Sequence, residues 1–251
     1  MSASTDTPVA LITGAATGVG KACALRFAKL GYRVCINFSR SETDAKETLA
    51  EIGAFGAEAF LAKCDVAQED QVQEMLQAVN DRWGRLDVLV NNAATTEFIP
   101  AKDLESMTEE KWDRILAVNL KGPYFCIKAS AELLAAGQGG AVVNISSVAG
   151  LCGKGSCIAY AASKGGLNTM TKSFAASLAP QVRVNAVLPG PIDSRWIREG
   201  DNNWDLEKMT ERLPIPKASS PDEIADGVIF FATATTMTTG QLLQIDGGQL
   251  L

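Results

Sequence analysis

Short apolar, β-branched runs alternate with stretches of helical period along nearly the whole chain, and the breaks between them fall at Gly, Asp or charged residues. With a Gly-rich turn closing the first run, this alternation predicts an α/β fold: a doubly wound, mostly parallel seven-stranded sheet with helices on both faces. The length agrees, because 251 residues suit one α/β domain with a large core. Residues 1–251 are therefore expected to form a single domain.

Val9 to Thr13 reads as the first strand, Gly14 to Gly20 breaks it, and Lys21 to Leu30 has helical spacing that ends at Gly31. Arg33 to Phe38 supplies a second strand. A helix near Thr43 to Ile52, a strand near Ala57 to Lys63, a helix near Gln68 to Trp83 and a strand from Leu86 to Asn91 follow. One long helix is expected near Thr108 to Ala135, then a strand Ala141 to Ile145, a helix Ile158 to Leu178 and a strand Val182 to Leu188. Ser220-Pro221-Asp222-Glu223 combines an N-cap Ser, a first-turn Pro and a capping-box Glu. That helix runs towards Phe231, ahead of a last strand Leu242 to Ile245. Asp193 to Pro216 breaks the rhythm and carries Trp196 and Trp204, so this insertion is a candidate substrate lid. Right-handed crossovers bring the strand ends to one common edge, where ligands sit in such sheets.

Composition narrows the chemistry. A net charge of −6 argues against a protein built to hold a phosphate backbone, so no nucleic-acid partner is expected. No long apolar run and no basic, apolar leader occur, which predicts a cytoplasmic protein without a membrane segment. The chain has no histidine, which excludes a His-based triad or a His-ligated metal, and no metal is expected. Its six cysteines show no CxxC spacing and read as free, mostly buried thiols.

Three clusters carry the chemistry. The turn Thr13, Gly14, Ala15, Ala16, Thr17, Gly18, Val19, Gly20 sits between a strand and a helix, where backbone N–H groups can approach a pyrophosphate without Cβ obstruction. At the end of the second strand, Phe38 stands where an NAD site places an acid for the ribose hydroxyl. Ser39 and Arg40 follow and can donate to a 2′-phosphate, which favours NADP(H) while leaving NAD(H) open. Asp65 and Val66 follow the third strand, and Asn91 to Ala94, with Ala93, follow the fourth. Asp65 and Asn91 suit adenosine-side contacts, although Asp65 could equally cap a helix. Finally, Tyr160 and Lys164 are spaced to share one helix face, and the ammonium is expected to lower the phenol pKa for proton transfer. Ser147, just after a strand end, can stabilise charge on a carbonyl oxygen beside that phenol.

Thr13-Gly-x-x-x-Gly-x-Gly20, Asn91-Asn-Ala-Ala94, Ser146-Ser147, Tyr160-x-x-x-Lys164 and Pro189-Gly190, in this order, resemble the short-chain dehydrogenase/reductase family over Val9 to Gly248. The resemblance implies a Rossmann fold and hydride transfer between a nicotinamide and a carbonyl or alcohol, with Tyr160 as general acid/base. It implies further that Ser147 orients the substrate oxygen, Lys164 holds the nicotinamide ribose, and Asn119 keeps a water in the proton relay. Pro189, Gly190, Ile192 and Ser194 would surround the nicotinamide carboxamide. Among relatives, Ile36 to Ser41 and Gln244 to Gly248 look most like 3-oxoacyl-carrier-protein reductases, which implies an NADPH-dependent homotetramer.

Two features depart from that pattern. Thr17 stands where many NADP-preferring relatives carry Arg or Lys, and Ala131 to Gly140 and Ser173 to Gln181 lack the basic residues an acidic carrier would need. A small ketone is therefore the expected substrate, with a 3-oxoacyl thioester or an imine as alternatives. A catalytically silent dinucleotide-binding sensor is the rival of another class. Specificity is expected from Thr95 to Ile99, Val148 to Ile158 and the insertion, with Cys152 and Cys157 as candidate pocket thiols.

Overall fold

A computed structural model describes residues 7–137, 139–198 and 204–251. Residues 1–6, 138 and 199–203, the last in the centre of the insertion, lie outside the described residues. The strands are β1 Val9–Ile12, β2 Arg33–Phe38, β3 Ala59–Lys63, β4 Val88–Asn91, β5 Gly140–Ile145, β6 Val182–Pro189 and β7 Leu242–Ile245. They form one seven-stranded sheet in the order β3-β2-β1-β4-β5-β6-β7, and every neighbouring pair is parallel. The chain winds outward from β1 to β3, then returns to place β4 on the other side of β1. The crevice at that reversal is where an open α/β sheet accepts a ligand.

Period-two alternation assigns the two faces. In β1, Ala10 and Ile12 pack under α1 (Gly18–Lys29), α2 (Glu42–Ala54) and α10 (Pro221–Ile229), in a core that includes Phe27, Ile52 and Ile224. Val9 and Leu11 point the other way, towards α3 (Glu69–Trp83), α5 (Gly122–Ala135) and α7 (Ile158–Leu178), with Leu76, Ile127 and Leu134. All four β1 residues are fully buried, so a one-residue slip would exchange the two packing sets.

The single helix expected over 108–135 is three pieces. α4 (Glu109–Leu116) passes into a π-helical turn, Ala117–Lys121, before α5 begins at Gly122-Pro123. The inserted residue of such a turn redirects the side chains that follow it, and Asn119 lies inside it. The insertion is also less irregular than expected, with short helices α8 (Arg195–Arg198) and α9 (Leu206–Thr210) on either side of 199–203. A four-residue helix α6 (Ala149–Cys152), absent from the sequence reading, follows β5. Among the described residues no helix is long and apolar enough to cross a membrane.

At α10 the Ser220 hydroxyl accepts from the Glu223 N–H at 3.2 Å, and the Glu223 carboxylate accepts from the Ser220 N–H at 2.7 Å. This is the reciprocal cap foreseen from the sequence. Ser220→Ala should cost about 1 kcal/mol of unfolding free energy in urea titration, with an unchanged denaturant slope. An unaltered midpoint would show that the cap contributes nothing to stability.

Candidate active site

The Gly-rich turn leaves β1 and starts α1 at Gly18, three residues earlier than the helix expected from Lys21. Gly14 and Gly18 have φ of +62° and +57°, and a Cβ on Gly20 would fall on the Gly14 carbonyl and the Asn92 side chain. The turn is held from both neighbouring strands. The Asn37 side chain, from β2, accepts from Gly14 N–H at 3.1 Å and donates to the Ala62 and Cys64 carbonyls, each at 3.1 Å. The Asn92 amide, beyond β4, donates to the Thr13 and Gly14 carbonyls at 2.9 and 3.0 Å. The Thr13 hydroxyl accepts from the Asn92 and Ala93 N–H groups. The backbone of the turn is thus fixed by side chains that do not themselves reach for phosphate, and the motifs gave no sign of Asn37 in that role.

This turn opens into a cleft of about 650 Å³ along the C-terminal edge of the sheet. Gly14, Thr17, Gly18, Val19, Ser39, Arg40, Asp65, Val66 and Ala93 line its cofactor side. Pro189, Gly190, Ile192 and Ser194 line it beyond β6, and Ser147, Tyr160 and Lys164 line it as well. Four expected residues stand behind the lining rather than in it. Thr13 and Gly20 brace the turn. Asn91 is buried and donates to the Asn144 carboxamide at 2.9 Å, which donates in turn to the Thr171 hydroxyl, tying β4 and β5 to α7. Asn119 is fully buried and clamps Thr95: it accepts from Thr95 N–H at 2.8 Å and donates to Thr95 C=O at 2.9 Å and to the Ser163 hydroxyl at 3.1 Å.

Asp65 does not cap the helix that follows, whose N-cap is Gln68, and it lines the cleft in an ion pair. Its carboxylate accepts from Ala67 N–H at 3.1 Å, a local turn contact, while its other oxygen pairs with Arg114 of α4 at 2.8 Å inside the cleft. The Arg40 guanidinium, by contrast, has no partner among the described residues and lies in the cleft mouth. Among the described residues five basic side chains line the cleft, Arg40, Arg114, Lys154, Lys164 and Arg195, against one acid, Asp65.

Tyr160 and Lys164 lie on one face of α7, with the Lys164 Nζ 5.6 Å from the phenol ring centroid. Lys164 is almost fully buried, and its ammonium donates to the Ile145 carbonyl at 2.8 Å. The electrostatics correct the expected direction. Burial pushes the Tyr160 phenol up to about 12, partly offset by a hydrogen bond with the Ser147 hydroxyl, and burial pushes Lys164 down to about 7. Desolvation outweighs the attraction that sequence spacing suggests, because both groups leave water together. Neither cysteine lines the cleft: Cys157 is buried, its sulfur capping α7 by accepting from Tyr160 N–H, and the Cys152 thiol faces the Lys154 carbonyl.

At the substrate end the lid meets the core through Phe98 and Trp204, whose rings stand edge to face at 5.2 Å, with Ile197, Met209 and Val148 nearby in the lining. Thr96 and Ser156 share a hydroxyl hydrogen bond of 2.5 Å in the same wall. Phe98, Val148 and Ser156 fall in segments expected to set specificity.

The residues fit a dinucleotide: a turn that no Cβ obstructs, a helix N-terminus facing the cleft, and unpaired positive charge at one end of the groove. A doubly wound sheet with this turn at one end of its cleft and a Tyr–Lys pair at the other defines an oxidoreductase that works with a nicotinamide dinucleotide. Comparison with known proteins agrees. The profile of the family described as Enoyl-(Acyl carrier protein) reductase matches residues 14–249. A Streptomyces violaceoruber chain, assigned as ketoacyl reductase 2 of the granaticin polyketide synthase, is 39% identical over 244 residues, covering 97% of this chain and 96% of its own. A 3-oxoacyl-[acyl-carrier-protein] reductase of Synechocystis is 37% identical over 246 residues, 97% of each chain. The crystal structure of a Burkholderia xenovorans chain, assigned as a short-chain dehydrogenase/reductase, superposes with a TM-score of 0.91 at 38% identity, covering 98% of both chains. The chain belongs to the short-chain dehydrogenase/reductase family.

The Lys164 shift has a sign that stability can report. Between about 7 and its ordinary 10.5, the unfolded chain holds a proton on this amine that the folded one has released, so stability rises with pH across that window. Below about 7 the full burial penalty applies. Urea unfolding of the ligand-free protein should therefore show a stability gap between Lys164→Met and wild type that shifts in favour of wild type from pH 7 to 10. A gap that does not change with pH would contradict the burial argument.

Proposed function

We propose that the protein is an NADP(H)-dependent reductase of ketones, acting on a small-molecule carbonyl and, in reverse, on the matching secondary alcohol. The observation that carries this reading is one cleft with the Tyr160, Ser147 and Lys164 side chains at one end and the unpaired Arg40, beside Ser39, at the other. The nicotinamide dinucleotide supplies the hydride. Tyr160 gives its phenolic proton to the carbonyl oxygen, which the Ser147 hydroxyl positions by a hydrogen bond. A phenol held near 12 is fully protonated at neutral pH and ready to act as the acid. Lys164, poised near 7, can take up a proton at little cost as negative charge appears on the phenolate, and so limits the burial penalty of that charge. Asn119 supports the site by fixing Thr95 at the cleft wall, the position from which it would hold a relay water.

The phosphate end favours the 2′-phosphorylated cofactor because no carboxylate stands at Phe38 and Arg40 can pair with a phosphate. The apolar wall of Phe98, Trp204, Ile197 and Met209 favours a compact, largely apolar ketone. Relatives named as 3-oxoacyl-carrier reductases make 3-oxoacyl thioesters the first alternative in a substrate screen. A homotetramer accords with the aromatic surface of Tyr124, Phe125 and Phe174 on α5 and α7. The free cysteines accord with a reducing cytoplasm.

Tyr160→Phe should lower kcat/KM for ketone reduction by about a thousandfold while leaving NADPH affinity, measured by fluorescence titration, within twofold. Retained turnover would remove Tyr160 from the reaction. Arg40→Ala should weaken NADPH binding by about tenfold and leave NADH binding unchanged, the size expected for one lost charge-assisted contact. Wild-type protein that binds NADH as well as NADPH would overturn the phosphate-site reading.

A further inference from the structure

Two carboxylates, Glu42 and Asp44, occupy the first turn of α2, directly beyond Arg40 and Ser41 in the cleft mouth. They follow Arg40 by two and four residues, so a carboxylate charge left unanswered there would disfavour a 2′-phosphate bound at Arg40. Glu42 is answered on its own helix by Lys46 at 2.7 Å. Asp44 is answered from across the molecule: its two oxygens accept from the two terminal nitrogens of Arg195 at 3.0 and 3.1 Å, a bidentate pair between residues 151 positions apart.

Topology makes that contact unusual. Asp44 follows β2 and Arg195 follows β6, and the sheet order sets β1, β4 and β5 between them. Four strand spacings are about 19 Å, so the pair joins segments that leave the sheet at well-separated strands. Arg195 also lines the cleft. Hydrogen bonding from Arg195, with a smaller pull from Lys21 at the start of α1, holds the Asp44 carboxyl below its usual range, so it carries its charge at neutral pH.

We propose that Arg195 is a specificity-determining residue for the 2′-phosphorylated cofactor, acting by neutralising Asp44 beside the Arg40 site rather than by touching the phosphate. This rests on the NADP(H) reading above and extends it, because it makes cofactor choice depend on where the lid sits. The unphosphorylated dinucleotide has no charge at that position and is indifferent to Asp44.

The test is a double-mutant cycle on the full chain, with dissociation constants for NADPH and NADH from fluorescence titration at low salt. Arg195→Ala should weaken NADPH by about fivefold and leave NADH within twofold, and adding Asp44→Asn should restore the wild-type NADPH-to-NADH ratio. A loss that persists in the double variant would overturn the proposal in favour of a direct Arg195–phosphate contact. Equal losses for both cofactors would overturn it in favour of a mere lid strap, and no change in Arg195→Ala would overturn it outright. Failure of the underlying reading shows separately, as Arg40→Ala protein with wild-type NADPH affinity, and takes the Asp44–Arg195 coupling with it. Thermal melting of each variant checks that these exposed substitutions leave the fold intact.

Discussion

A parallel sheet covered on both faces leaves its polar groups one outlet, the edge where the strands end. Here β1, β2, β4 and β5 are buried along their whole length, so a side chain that must meet water or ligand has to stand just beyond a strand. The polar side chains that remain inside are tied down individually. Asn37 braces the Gly-rich turn, the Asn91–Asn144–Thr171 chain joins two strands to α7, and Lys164 hydrogen-bonds the end of β5. Each of these bonds satisfies a buried polar group and fixes the strand end next to it, although the Asn91 side-chain oxygen has no partner among the described residues. Rigid strand ends in turn hold Ser147, Tyr160 and the glycines in one cleft.

The same dry surroundings govern the proton chemistry. A phenol and an ammonium in water would ease each other's ionisation, but removing both from water favours the neutral form of each. The pair therefore rests with a protonated phenol and a lysine close to neutrality. Charge of opposite sign on one makes charge on the other less costly. Such a pair suits a reaction in which a proton leaves the phenol and must be replaced without a permanent buried charge.

Much of this was legible in the sequence, for identifiable reasons. Period-two and period-3.6 patterns fixed the strands and main helices because burial on both sheet faces enforces them, and the Gly-rich turn and the Tyr160–Lys164 spacing carry their geometry locally. The π-helical turn at Ala117–Lys121 was invisible, since Ala, Val, Asn, Leu and Lys give no local cue for an inserted residue. So was the brace role of Asn91 and Asn119, because a residue at a strand end or on a helix is equally able to point into the cleft or behind it. The ionisation of Tyr160 was misread because spacing reveals a neighbour's charge but not the depth at which both are buried. Contacts between distant segments, Arg195 with Asp44 and Phe98 with Trp204, depend on how the lid folds back, which no local pattern records.

The charge distribution ties these observations to partner choice. The chain is acidic overall at −6, yet among the described residues its cleft gathers five basic side chains against one acid. Low-dielectric walls focus that local positive field, so an anionic small molecule is drawn into the groove. Two of the five cations are already paired, Arg114 with Asp65 inside the cleft and Arg195 with Asp44 at its rim. Pairing lowers their attraction but fixes their position, while the Arg40 guanidinium at the mouth has no partner among the described residues. An acidic protein with an electropositive cleft is therefore suited to draw in an anionic dinucleotide.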